Sequence, residues 1–231
     1  MPGRQAMIIA AMCAILYSLL VVVSVAMSPN APPVTASADQ ILAWTRQSHA
    51  AIELGGFIDA ASNVFLLGFL ALLLRRAEPR GGYLSILTVA GLIGAMLVDV
   101  IAVAISWGQV LLATSGGDAG SVRALFVVQG GFTGTYNNLY GLPYCLFIGA
   151  LAALIFRTRV LPVAYAWVAA LIAVLAGAGT VVGIFGPTGP VGFATFLLTL
   201  AWPLAAGVYL LVRFSRREST EEAHLTPQTQ G

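Results

Sequence analysis

Six stretches of this chain each run 21 residues or more with so little charge that water is a poor solvent for them. A helix rises about 1.5 Å per residue, so roughly 20 apolar residues cross a hydrocarbon core about 30 Å thick. The stretches are 7–27, 51–74, 83–107, 125–156, 163–185 and 191–212. Each is too long and too continuously apolar for a barrel strand, which would run about ten residues with alternating polarity. The fold class they predict is all-α, a six-helix transmembrane bundle in the lipid bilayer over residues 1–214. Composition agrees: 59% of residues are hydrophobic, 9% are charged and mean hydropathy is +0.91, which does not fit a water-soluble domain.

The first stretch also has the outline of a secretory signal, with Arg4 ahead of it and Ser24-Val25-Ala26 as a small-x-small site. Its length favours a retained helix, because a signal's apolar core spans about 7 to 15 residues. Orientation follows from the arginines, which supply all eleven basic side chains. In a six-pass chain Arg4, Arg75, Arg76, Arg80, Arg157, Arg159, Arg213, Arg216 and Arg217 share one side, and only Arg46 and Arg123 fall on the other. The positive-inside rule then places both termini in the cytosol.

The connections set expectations for irregular backbone. In the first external loop, residues 28–50, the run Pro29-Asn30-Ala31-Pro32-Pro33 excludes helix, since proline removes a donor and restricts its predecessor. From Asp39 through Trp44 the spacing becomes helical, with Ser37 or Asp39 as N-cap, and predicts a short interfacial helix with Trp44 at headgroup depth. The second external connection, 109–123, carries Ser115-Gly116-Gly117-Asp118-Ala119-Gly120, and the third is a tight turn at 186–190. The tail 215–231 is polar, lacks an apolar face and is expected to be a disordered cytosolic segment. The hairpins 66–98 and 151–182 share a layout, which suits either a duplication or any two inward hairpins.

Several chemistries find no material here. Cys13 and Cys145 are isolated in apolar surroundings and form no Cys-x-x-Cys pair. His49 and His224 are the only histidines, so no His-rich metal site and no cofactor is expected. The net charge of +2 comes from the topological arginines and gives no reason to expect a nucleic-acid partner.

Three carboxylates, Glu53, Asp59 and Asp99, stand inside the apolar stretches, where an ionisable group marks a functional site by default. Counting from the arginine side puts Asp59 and Asp99 about 22 to 24 Å from that boundary. Asn63 lies one turn from Asp59 on the same face, and Asp99 continues the small-residue stripe of Gly91 and Ala95, which turns it into the bundle. The stretch 125–156 is the most polar, with Gln129, Thr133 and Asn137 spaced by four, Tyr136, Tyr140 and Tyr144 beside them, and Asn138 adding an amide. A lipid-facing helix would not tolerate that row. The stretch exceeds one span, so projection or a bend near Gly130, Gly131 or Gly134 is expected. Pro143 and Pro203 free the carbonyls of Leu139 and Thr199 as ligands or as simple kinks, and Trp202 reads as core packing.

The run Arg159-Val160-Leu161-Pro162, the small-residue helix 166–183 and the closing Leu200-Ala201-Trp202-Pro203-Leu204 ending at Arg213-Phe214 resemble the domain-of-unknown-function 4386 family. The similarity follows hydropathy along much of the chain and individual residues in the last two helices. It implies a small multi-pass protein of the bacterial inner membrane, and it carries no catalytic residues over.

Three functions fit. In the first, a pocket on the outward side of helices two to four binds or moves a small amphipathic or cationic ligand, through Glu53, Asp59, Asn63, Asp99, Gln129, Thr133, Tyr136, Asn137, Asn138 and Tyr140. A homodimer packed through Gly179 and Gly183 is expected with it. In the second, the chain is an accessory subunit of a larger membrane complex. In the third, a protonated Asp or Glu acts as general acid on an isoprenoid or lipid.

Overall fold

The computed structural model describes residues 3–133, 140–185 and 189–225, and these form seven helices with no strand among them. They are α1 (Arg4–Met27), α2 (Ala38–Gly81), α3 (Tyr83–Thr114), α4 (Ala119–Thr133), α5 (Gly141–Thr158), α6 (Val163–Phe185) and α7 (Gly189–Leu225). Six of them, all but α4, are long and apolar enough to cross a membrane. The chain is therefore an all-helical protein of multi-pass membrane character.

Those six helices close into a ring. Each packs on the next along the chain, α1 on α2, α2 on α3, α3 on α5, α5 on α6, α6 on α7, and α7 returns to α1. Short connections explain the sequential order, since helices joined by few residues become antiparallel neighbours. Between α2 and α3 the connection is Gly82 alone, at φ 51, a left-handed conformation that glycine adopts without a Cβ penalty. Arg159 takes the same role after α5 at φ 55.

The ring is solid at the end that carries the arginines. Phe69, Leu73, Leu151, Leu154, Ile155, Leu161, Ile172 and Leu210 are fully or almost fully buried there, and α2 touches α5 across the middle. Trp202 belongs to this core: its ring meets Phe69 edge-on at 6.2 Å and its Nε1 donates to the Tyr165 carbonyl at 2.9 Å. Arg4 Nε donates to the Phe214 carbonyl at 3.0 Å, and the Arg76 guanidinium lies 5.3 Å from the centre of the Phe214 ring. Outside the ring stand large exposed apolar residues such as Ile86, Trp167, Val174 and Leu97, the surface expected of a bundle solvated by lipid.

Backbones approach closely where glycine permits. A Cβ on Gly91 of α3 would overlap the Phe147 backbone of α5, and one on Gly207 of α7 would stand 2.8 Å from the Ala11 carbonyl oxygen of α1. The Gly91 and Ala95 stripe is thus an α3–α5 seam, as its spacing predicts.

The opposite end differs from the sequence expectation in several respects. Of the stretch 125–156, the described residues form the latter part of α4, to Thr133, and α5 from Gly141, with 134–139 outside the described residues; α5 is the part long and apolar enough to cross a membrane. Helix α4 instead packs Val122 and Phe126 against Ile41 of α2 and Ala113 of α3, with Trp44 edge-on to Phe126 at 5.7 Å. That separate apolar cluster binds α4 to α2 and α3, while α5 packs on α2, α3 and α6. Asp118 accepts from the Ser121 N–H at 2.9 Å and from its hydroxyl at the start of α4, and these bonds hold its carboxyl below the usual range.

The helix predicted to be short and interfacial is the first part of α2, continuous with the second span. Ser37 caps it in a reciprocal box with Gln40. At 44 residues α2 is about 66 Å long, twice a hydrocarbon core. Ser24 Oγ donates to the Gly55 carbonyl at 3.0 Å, which fixes the register of α1 on α2 and leaves the start of α2 projecting about 20 Å past the end of α1. Gln109 Nε2 to Thr45 Oγ1 at 2.7 Å and Arg46 Nε to the Ala113 carbonyl at 2.7 Å tie α3 to this projection. The segment expected as a disordered tail is helical from Ser215 to Leu225, and residues 226–231 lie outside the described residues.

Gly91→Ala is expected to lower stability by about 1–3 kcal/mol through overpacking of the α3–α5 seam. Gly108→Ala, whose Cβ would meet only Leu125 Cδ1 at 3.8 Å, is expected to be neutral or slightly stabilising. Thermal unfolding of the detergent-solubilised variants separates the two outcomes.

Candidate functional site

Asp59 and Asn63 lie four residues apart on α2, hence on one helical face, and Asp99 meets them from α3. Asn63 Nδ2 donates to Asp99 Oδ2 at 2.7 Å. The carboxyl groups of Asp59 and Asp99 are themselves in hydrogen-bond contact. Carboxylate oxygens only accept, so such a contact requires a proton or a cation between them.

The three residues face a partly enclosed cavity of about 550 Å³. Every spanning helix contributes to its wall: Tyr17 and Val21 from α1, Asp59, Ser62 and Asn63 from α2, Val98 and Asp99 from α3, Tyr144 from α5, Ala176 and Gly179 from α6, and Phe193, Thr195, Phe196 and Thr199 from α7. Tyr140, just before α5, completes the aromatic side and stacks on Tyr144 at 5.2 Å between ring centres. The cavity occupies the half of the ring away from the arginines. There the small side chains of Ser62 and Ala176 and the bare backbone of Gly179 leave the centre between the aromatic rings unfilled.

Two features define its chemistry. None of the described residues lining it is an arginine or histidine, so the protein supplies no cation to offset the two carboxyl groups. Tyr17 is 7% exposed, lines the cavity beside both aspartates, and its hydroxyl has no hydrogen-bond partner among the described residues. Such a wall offers oxygen acceptors and aromatic faces together, a combination suited to an organic cation.

The structure brings together only part of the set singled out in the sequence. Asp59, Asn63, Asp99 and Tyr140 share the cavity. Glu53 does not; it is exposed and lines a separate open cleft with Leu54, Phe57, Trp107 and Leu111. Gln129 sits on α4 and is not among the described residues that line the cavity. Thr133 ends α4, and Tyr136, Asn137 and Asn138 lie outside the described residues. Leu139, whose carbonyl Pro143 would free, lies outside them too.

Sequence reasoning missed Tyr17, Thr195, Thr199 and the phenylalanines of α7. A signal existed in α1, where Tyr17, Ser18 and Ser24 are buried at near-helical spacing in an otherwise apolar helix. Of Gly179 and Gly183, read as a face for a second copy, Gly179 lines the cavity and Gly183 is buried. Comparisons with protein-family models, with curated proteins and with solved structures return no match.

In a Cys13→Ser/Cys145→Ser background, Thr195→Cys is expected to react with a water-soluble methanethiosulfonate reagent, whereas the fully buried Ile172→Cys is expected to resist it. Labelling of Thr195→Cys no greater than the low background of Ile172→Cys, read by mass spectrometry, would show that the cavity is closed to water.

Proposed function

We propose that this chain is a multi-pass protein of a bacterial inner membrane, with both termini in the cytosol, that binds or moves a small amphipathic cation in the cavity bounded by Asp59, Asp99 and Tyr17. The observation that carries this reading is a pair of carboxyl groups in contact, facing a cavity whose described wall holds no arginine or histidine. A ligand's positive charge supplies what the wall lacks. Tyr17, Tyr140, Tyr144, Phe193 and Phe196 present aromatic surface to the same space, and aromatic faces attract organic cations through their quadrupoles. A volume of about 550 Å³ falls within the usual range of small-molecule sites.

The orientation rests on the arginines. Arg4, Arg76 and Arg213 gather around Phe214 at one end, the side that the positive-inside rule assigns to the cytosol. The cavity then opens toward the outer leaflet, and the projecting start of α2 with α4 lies beyond the outer headgroups. Membership of the 4386 family, suggested by the last two helices, is compatible with this reading and adds no residue to it.

A second reading, an accessory subunit whose polar groups only join helices, is favoured by the Asn63 to Asp99 bond between α2 and α3. It leaves the unpartnered Tyr17 hydroxyl and the cavity without a role.

The probe that separates the readings is benzyltrimethylammonium, a permanent cation of suitable size, set against its uncharged carbon analogue neopentylbenzene. Well above its Kd the cation is expected to raise Tm by a few degrees, since roughly 100-fold excess over Kd stabilises by about 2.7 kcal/mol. The analogue is expected to give no shift. Asp59→Asn/Asp99→Asn is expected to lose the effect, and an undiminished shift in that double variant would remove the ligand reading. For topology, a C-terminal green fluorescent protein fusion expressed in a Gram-negative host is expected to fluoresce, and a dark fusion would reverse the orientation.

A further inference from the structure

The Asp59 to Asp99 contact is asymmetric. Asp99 Oδ2 accepts from Asn63 Nδ2 at 2.7 Å. A carboxylate that accepts one donor is set to accept a second, so Asp59 is the member of the pair that carries the hydrogen. Its own neighbour Ser62 turns elsewhere, donating to the Asp59 main-chain carbonyl at 2.7 Å. The titratable groups facing the pair are Tyr17 from α1 and Tyr140 and Tyr144 from the α5 end, while α6 and α7 contribute none among the described lining residues. No other described acid or base is placed to take the proton.

We propose that the cavity exchanges a proton for its cation one for one, an inference that rests on the ligand reading above. The cation enters between Asp59 and Asp99 and is drawn to the oxygens that hold the shared hydrogen. The O–H bond of Asp59 breaks, its electron pair stays on the carboxylate, and the proton leaves to water through the cavity. The charge of the site is the same before and after, whereas a net change of charge in a low-dielectric interior is costly. Tyr17 supplies the third oxygen. Its partnerless hydroxyl, 7% exposed beside both carboxyl groups, turns a lone pair to the cation or to the water that carries the proton away.

Reciprocity makes the exchange measurable, because a ligand that expels one proton binds about tenfold more tightly for each unit rise in pH while that proton is held. Isothermal titration of the full chain in detergent with benzyltrimethylammonium, at one pH in two buffers of different ionisation enthalpy, counts the protons. One proton per cation is expected, together with the tenfold rise per pH unit. Equal heats in both buffers and an affinity indifferent to pH would overturn the exchange and leave the ligand reading standing. Absence of any binding would remove that reading and the exchange with it. Asp59→Asn is expected to bind without releasing a proton, and continued release from a folded Asp59→Asn protein would overturn the assignment to Asp59. If that variant does not fold, the wild-type proton count decides alone.

Discussion

Closure of α7 onto α1 is the constraint on which the rest of this molecule depends. Six antiparallel helices joined in sequence can form a flat row as easily as a ring, and only the last contact makes an interior. Here the contact is tight: Gly207 admits the Ala11 carbonyl, Ser18 Oγ donates to the Leu200 carbonyl at 3.1 Å, and Arg4 reaches the Phe214 carbonyl at the arginine end. The Ser18 bond falls within one turn of Pro203, where the α7 ladder lacks a donor and a neighbouring hydroxyl is most useful. A ring of six has more room at its centre than side chains of ordinary size fill. One half is occupied by Phe69, Trp202 and the leucines of α2, α5 and α7; the other half holds the cavity.

The position of the acids follows from that division. Asp59 and Asp99 are not scattered polar defects in apolar helices; they meet at the unfilled half, with Asn63 fixing the Asp99 oxygen. Helix α4 and the projecting start of α2 are tied to the same two helices that carry the acids, through Ile41, Ala113, Phe126 and the Gln109 to Thr45 bond.

The spans were legible in the sequence because hydropathy is a local sum, and five of the six stretches meet a single long helix. The stretch 125–156 is described only in part, as α4 and α5 on either side of residues 134–139. Periodicity places Gln129, Tyr140 and Tyr144 in adjoining rows only if the helix between them is unbroken; α4 and α5 both pack on α2 and α3, and α5 packs on α6 as well. The Ser37 cap and the inward turn of Asp99 followed from local rules, a hydroxyl ahead of a periodic run and a small-residue stripe. Tyr17 was marked only by its place beside Ser18 and Ser24 in α1, a weak signal because the rest of that helix is apolar on every side. Ring closure itself leaves no local trace: it is a relation between the first and last helices, and only Gly207 and Ser18 hint at it.

What the acids are for can be argued from their cost. An aspartate at the centre of a membrane helix is unfavourable by about 2.5–3.5 kcal/mol on insertion scales, so two cost at most about 5–7 kcal/mol and less toward the outer third, where the count from the arginine side puts Asp59 and Asp99. One interhelical hydrogen bond returns about 0.6 kcal/mol on average, so the Asn63 to Asp99 bond and the Asp59 to Asp99 contact that join α2 to α3 together return about 1 kcal/mol. Asparagine at both positions would tie the same helices with less penalty. The difference is too large for a structural role to absorb. It closes only if something in the cavity, water together with a proton or a cation, solvates the carboxyl groups, and a cavity of about 550 Å³ lined by Tyr17 and Thr195 is where that solvent resides. The same residues that make the ring incomplete as a core make it tolerable as a home for two acids.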